Sequence, residues 1–242
     1  MGKLTVLGLG PGEKQKRTFE VQKALEEAEL ITGYTTYVRP LQEEFPEKEF
    51  YVSGMTREID RCRQALKCAA SGKNVVLVSS GDPGVFGMAS PALELMTEFP
   101  DVPVRILPGV TAALSGAAVL GAPIGHDFAV ISLSDRLTPW ELIERRLEYV
   151  SRAGMPIVLY NPGSHGRKDY LKKACRILLR SVSGDVPCGL VRNIGREGEA
   201  WEILSLRALS EREVDMFTTV FIGDETTKVI AGRMVTPRGY NE

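Results

Sequence analysis

The sequence predicts an α/β protein, with a mainly parallel sheet in its first half and a mixed sheet in its second. Three observations carry that expectation. Short β-prone runs alternate with segments of helical periodicity through the first half. Two of the runs lead straight into glycine-rich loops, Gly8-Leu9-Gly10-Pro11-Gly12 and Gly81-Asp82-Pro83-Gly84. Such loops at the carboxyl ends of strands are where open α/β sheets bind ligands. In the second half the strand-like runs lie closer together, which suits a mixed sheet.

Leu4-Thr5-Val6-Leu7 is the first strand, and residues 16–28 are expected to form the first helix. Leu30-Ile31-Thr32 reads as the next strand. Residues 55–71 form a helix with Ile59, Cys62, Leu66 and Ala69 on one apolar face, closed by Gly72. Val75-Val76-Leu77-Val78 is apolar throughout, as a parallel strand covered on both faces would be. Ser90-Pro91 reads as an N-cap followed by proline at the first helical position, opening a helix to residue 99. A strand follows over residues 104–107. Pro108-Gly109-Val110-Thr111-Ala112 opens a small-residue helix running to Leu120. Its small side chains admit either a close ligand or tight core packing. Gly121-Ala122-Pro123 ends it and marks the expected boundary between an N-terminal α/β domain, 1–120, and a C-terminal α/β domain, 121–242.

The second domain opens with a strand over 128–132. Thr138-Pro139-Trp140-Glu141 reads as a capping box, and Trp140, Ile143, Leu147 and Val150 make one apolar helix face. A strand over 156–160, a helix over 168–179 and strands over 189–191, 202–204 and 218–222 complete the chain. No internal repeat or low-complexity segment interrupts it.

A formal net charge of -1 argues against a broad nucleic-acid surface. The most apolar stretch, residues 110–124, is too short for a bilayer and is broken by Gly116, Gly121 and Pro123. The chain enters a strand within a few residues of its start, leaving no room for a signal peptide, so a cytoplasmic location is expected. The four cysteines show no C-x-x-C spacing, so neither zinc nor an iron–sulfur cluster is suggested. Cys62 reads as a small core residue.

The first glycine loop departs from the dinucleotide pattern, which needs a sixth-position glycine; Glu13 stands there and would repel a pyrophosphate. Val6 occupies the place where many methyltransferases carry an acidic residue. In the second loop Asp82 makes a neutral or cationic guest more natural than a phosphate, although a tight turn without ligand would look the same. Polar residues collect after strand ends: Asp82, Thr111, His126 and Asp127, Ser132, Ser134 and Asp135, Asn161 and Asn193. The Gly-x-Ser-x-Gly elbow of serine hydrolases and the phosphate-binding lysine loop are both absent.

Gly8-Leu9-Gly10-Pro11-Gly12, Gly81-Asp82-Pro83, Pro108-Gly109-Val110-Thr111-Ala112 and the late strand from Thr219 to Gly223 together resemble the tetrapyrrole methylases, over nearly the whole chain and in order. Gly33-Tyr34-Thr35-Thr36-Tyr37, the stretch from Gly125 to Trp140, and Tyr160-Asn161-Pro162 resemble the members that methylate C17 of precorrin-3B or cobalt-factor III in cobalamin synthesis. The resemblance implies two α/β domains with a cleft between them, a homodimer, a tetrapyrrole substrate and S-adenosyl-L-methionine as methyl donor. It implies cofactor contacts from Pro11, Gly81, Asp82, Val85, Phe86, Thr111, Ala112, Asn161, Asn193 and Thr219. It implies substrate contacts from Gly10, Tyr34, Ser134 and Asp135, with no metal held by the protein.

Methyl transfer to an electron-rich ring carbon is an in-line displacement that needs alignment more than a strong base. The accompanying ring contraction needs a proton donor or acceptor, for which His126 is the first candidate, with Asp127 and Ser132 beside it. Arg57, Arg61, Arg136 and Arg167 are candidates for the substrate's carboxylates; His165 reads as plain surface. Two other readings stay open: a tetrapyrrole methylase acting at another carbon, and a small-molecule-binding module without chemistry. The metal state of the substrate is not legible in the sequence.

Overall fold

Leu4, Val6 and Leu7 are fully buried, and the strand that carries them is paired along both edges. The computed structural model describes residues 2–164, 166 and 168–240. The chain divides into two compact units, Met1–Thr111 and Ala112–Glu242.

The first unit runs β1 (Lys3–Gly8), α1 (Phe19–Glu27), β2 (Leu30–Tyr34), α2 (Thr35–Glu44), β3 (Glu49–Ser53), α3 (Glu58–Ala70), β4 (Asn74–Ser79), α4 (Ala89–Glu94) and β5 (Val104–Leu107). Its five strands form a wholly parallel sheet in the order β3-β2-β4-β1-β5. The apolar runs of β1 and β4 are explained by helices on both faces. Leu4, Val6, Val75 and Leu77 pack with Cys62 and Leu66 of α3, while Leu7, Val76 and Val78 pack with Val21 and Leu25 of α1 and Val38 and Leu41 of α2.

Several boundaries differ from the sequence expectation. α1 starts at Phe19, where the Thr18 hydroxyl caps it by accepting from the Val21 amide; residues Lys14–Lys16 form a separate short 3-10 turn. α2 and β3 were not expected. α2 carries Pro40 in its interior and buries only Val38 and Leu41, and β3 is an edge strand without a fully buried residue. Ile59 is 47% exposed, because the buried face of α3 is made by Arg61, Cys62, Ala65, Leu66 and Ala69. α4 begins at Ala89, whose amide donates to the Pro83 carbonyl, so Ser90 and Pro91 lie inside the first turn and not ahead of it.

The second unit runs α5 (Ala112–Leu120), β6 (Gly121–Ala122), β7 (Ala129–Ser132), α6 (Trp140–Arg152), β8 (Ile157–Tyr160), α7 (Tyr170–Leu178), β9 (Pro187–Arg192), β10 (Ala200–Ser205), α8 (Leu206–Leu209), β11 (Thr218–Ile222), β12 (Lys228–Ile230) and β13 (Arg233–Val235). The main sheet has the order β10-β9-β11-β8-β7, with β7 and β8 parallel and the other pairs antiparallel, as the close strand spacing foretold. A small second sheet, β12-β13-β6, was not expected.

The small residues of α5 serve tight packing. A Cβ at Gly116 would meet the Phe221 ring at 2.7 Å, and one at Gly189 would meet Leu120 Cδ1 at 2.3 Å. Because α5 packs on β9 and β11, it belongs to the second unit. The division therefore falls one helix earlier than the expected 120/121 boundary. The capping box at Thr138 does not form: Pro139 is the N-cap of α6 and no side chain caps it.

Candidate functional site

In the first unit three loops interlock at the carboxyl ends of β1, β4 and β5. Gly10 and Gly81 pair in an isolated bridge, with Gly81 N donating to Gly10 O at 2.8 Å and Gly10 N to Gly81 O at 3.1 Å. A Cβ at Gly8 would lie 2.2 Å from Gly81 O, and one at Gly109 would lie 2.2 Å from Gly81 O and 2.5 Å from Gly8 O. Glycine is required at both places because backbone fills the space of a side chain. Asp82 ties the group together. Its Oδ1 accepts from Gly84 N at 2.8 Å and its Oδ2 from Gly109 N at 3.0 Å. Both carboxylate oxygens are thus engaged in bracing backbone.

Around this cradle Pro11 is buried, Gly81 and Val85 are half-buried, and Phe86 is 59% exposed with a left-handed φ of 53°. Left-handed backbone in an aromatic residue is strained, and such strain collects at functional loops. Thr111 is half-buried at the end of the unit. Tyr34 ends β2 and meets Tyr37 edge-on, with ring centroids 5.3 Å apart.

The second unit gathers a different set at the ends of β7, β8 and β9. Tyr160 Oη accepts from Ala113 N in the first turn of α5 at 2.7 Å. Asn161 and Asn193 both have left-handed backbone, with φ of 54° and 52°. Asn161 Nδ2 donates to Ser132 Oγ at 2.9 Å, and Ser134 N donates to the same oxygen at 3.2 Å. Ser132 and Ser134 are therefore linked from backbone to side chain. Asp135 accepts from Tyr170 Oη, and Tyr170 packs on Trp140 with centroids 4.7 Å apart. Thr219 is buried within β11, and Ala112 opens α5.

His126 and Asp127 lie apart from that network. Both are exposed, in the loop between β6 and β7, and no hydrogen bond joins either to Ser132. Asp127 N donates to His126 Nδ1 at 2.9 Å, which places the proton of the neutral ring on Nε2.

The four arginine candidates separate sharply. Arg61 is 3% exposed; its Nε donates to Ser53 Oγ at 2.8 Å and its guanidinium to Gly54 O at 2.8 Å, so it braces the turn after β3 from within and is not a surface group. Arg57 is exposed and pairs with Asp60. Arg136 is exposed. Arg167 and His165 lie outside the described residues. Burial raises the Cys62 and Cys175 thiols to about 12 and the buried Cys188 thiol also upward, so none is a ready nucleophile. Among the described residues no group of three or more His, Cys, Asp or Glu could hold a metal ion, and no helix is long and apolar enough to cross a membrane.

Sequence reasoning missed Tyr170, the hold of Tyr160 on the start of α5 and the bracing role of Arg61. Tyrosine and arginine look alike on a surface or in a core until their partners are known. The nearby strand-end polar residues were the one available signal.

The family model for tetrapyrrole (corrin/porphyrin) methylases matches residues 3–210. A probable cobalt-factor III C(17)-methyltransferase of Salmonella typhimurium is 44% identical over 98% of this chain and 99% of its own length. A precorrin-3B C(17)-methyltransferase of a Sinorhizobium species is 40% identical over 99% of this chain and 97% of its own. This chain spans about half the length of some other curated relatives, 45% and 53% in two cases. Among solved structures, the methyltransferase CobJ superposes with a TM-score of 0.90 at 38% identity, covering 98% of this chain and all of that one.

Proposed function

This chain belongs to the tetrapyrrole (corrin/porphyrin) methylase family, and on that premise we propose that it methylates C17 of precorrin-3B or cobalt-factor III, with ring contraction, in cobalamin biosynthesis. The near-full-length similarity to relatives of that activity supports the reading. The observation that carries it into this chain's own chemistry is the backbone cradle at Gly8, Gly81 and Gly109.

S-adenosyl-L-methionine is the methyl donor in this reading, held beside the cradle. The cradle's walls are backbone placed too close for side chains, and Glu13 stands where a dinucleotide turn would carry its last glycine. The donor supplies an electrophilic methyl group on a cationic sulfur. Gly81, Val85, Phe86, Pro11 and Thr111 would hold it from the first unit, with Asp82 fixing the shape of the loop. Ala112, Asn161, Asn193 and Thr219 are the contacts assigned to the second. Gly10, Tyr34, Ser134 and Asp135 are assigned to the tetrapyrrole. His126 is the group assigned to proton handling, with Asp127 and Ser132 as orienting groups. The rigid bracing by Asp82 lowers the cost of ordering the loop when donor binds, and alignment of that kind is worth several kcal/mol to a displacement at carbon. The protein is further proposed to act as a cytoplasmic homodimer, without a nucleic-acid or membrane partner.

The test is anaerobic incubation with S-adenosylmethionine and cobalt-factor III, and separately with precorrin-3B, read by mass spectrometry and absorbance. A methyl-sized mass gain with the spectral change of ring contraction is expected for one of the two. Tight donor binding without mass gain on either would reject C17 chemistry and leave another ring carbon.

A further inference from the structure

Ser132 ends β7, and its side chain is half-buried. A serine oxygen has two lone pairs and one proton. Here both lone pairs are engaged, by Asn161 Nδ2 at 2.9 Å and by Ser134 N at 3.2 Å. No described residue accepts the hydroxyl proton. A half-buried hydroxyl held in this way has lost its capacity to act as a base and keeps one directed donor. The donor sits at the carboxyl end of the parallel β7–β8 pair, the end of a parallel sheet at which ligands bind.

What fixes the polarity is Asn161. Its backbone is held at φ 54°, a region that asparagine and aspartate tolerate better than other side chains, and from there the amide reaches back to the neighbouring strand. Leu133 N donates to Tyr160 O at 2.9 Å, and Tyr160 Oη is held by the start of α5, so the strand end preceding Asn161 is itself pinned.

We propose that Ser132 is an oriented hydrogen-bond donor to an acceptor-only oxygen of the tetrapyrrole, a carboxylate or ring-bound carbonyl, and that Asn161 is the positioning residue that sets this direction. The naming of the tetrapyrrole rests on the function proposed above; the donor polarity does not. Ser132 therefore stabilises negative charge on a substrate oxygen and does not remove a proton.

The test is a double-mutant cycle on the intact protein with Ser132→Ala and Asn161→Asp. Aspartate keeps the shape and tolerates the same φ, but it accepts where the amide donates, so the Ser132 hydroxyl would turn inward to it. Each single variant is expected to lose about ten- to a hundredfold in kcat/KM for the tetrapyrrole, the range for one hydrogen bond to a charged or carbonyl oxygen. The affinity for S-adenosylmethionine, measured by calorimetry, should move less than threefold in Ser132→Ala. The double variant should be no worse than Ser132→Ala alone, because the redirected hydroxyl is gone. Additive losses would show that the added charge acts directly, and would overturn the proposal. Full activity in Asn161→Asp would overturn it too, as would a loss confined to S-adenosylmethionine affinity. Circular dichroism and thermal unfolding confirm that each variant is folded. If the wild type transfers no methyl group, the C17 reading fails by itself, and the same cycle read on tetrapyrrole binding by absorbance still decides the donor.

Discussion

Replacing Gly109 by alanine tests whether the interlocked loops are the working part of the first unit. The added methyl would sit 2.2 Å from Gly81 O, 2.5 Å from Gly8 O and 2.7 Å from Gly8 C, all of them backbone atoms. No side chain can swing away, so relief requires the loops themselves to part by about 1 Å. Overpacking of this kind costs about 1–3 kcal/mol. Parting also stretches the 3.0 Å bond from Gly109 N to Asp82 Oδ2, a half-buried bond to a carboxylate worth about 1 kcal/mol or more. The sum is about 3 kcal/mol, which is about a hundredfold in binding if the distortion falls on the cradle. Gly54→Ala is the matched control, since a Cβ there meets nothing within 4 Å; its effect should stay within about 0.5 kcal/mol. Urea unfolding gives the stability difference, and calorimetric titration with S-adenosylmethionine gives the affinity. If Gly109→Ala and Gly54→Ala match in both measurements, the reasoning from close backbone approach is refuted.

Three further outcomes are expected. Iodoacetamide should label Cys68 in the native protein and leave Cys62, Cys175 and Cys188 untouched, because burial raises those three thiols and only Cys68 is partly exposed; intact mass before and after unfolding reads this directly. Glu44 is held below its ordinary 4.5 against its own burial by hydrogen bonds from Lys14 and Arg17, by the nearby Arg17 charge and by Gln22. A lowered carboxyl stabilises the fold above the ordinary carboxyl range and loses that contribution as pH falls through its depressed value, so Glu44→Gln should flatten the acid limb of a thermal-stability profile below about pH 4.5. Arg61→Met should destabilise by about 2–4 kcal/mol in urea, because it strips donors from Ser53 and Gly54 inside a buried site; a change under 0.5 kcal/mol would show that those groups find other partners.

The legible parts of this protein were those in which local sequence and tertiary role agree. β1 and β4 are apolar on both faces because helices cover both faces, and an unbroken apolar run announces that. The glycine loops stand out in the sequence at two strand ends, and there Gly8 and Gly81 meet in close backbone approach. α2 was hidden by Pro40 and by a helix that buries only two side chains, and β3 by its place at the sheet edge. The Thr138 capping pattern misled because Pro139 became the cap itself, leaving the threonine outside. Asp82 reads in the sequence as a charge that disfavours a phosphate; that its two oxygens hold the amides of Gly84 and Gly109 is not written locally. His126 stands out in the sequence as a titratable group, whereas the half-buried polar network forms around Ser132 and Asn161, which lie on separate strand ends. Such networks are defined by which strand ends lie side by side, and pairing order is not written locally.

The order β3-β2-β4-β1-β5 also sets a schedule for synthesis. β1 is made before every other strand of this sheet yet occupies an interior place, and both of its neighbours, β4 and β5, are made later. Until Asn74–Ser79 has emerged, Lys3–Gly8 has no partner on either edge, and β2 can pair only with β3. The nascent chain must carry an apolar, unpaired strand for most of the first unit's translation, which makes this interval the one most exposed to aggregation. The cradle cannot exist before Gly109 appears, so the three loops interlock only as the last strand of the first sheet falls into place.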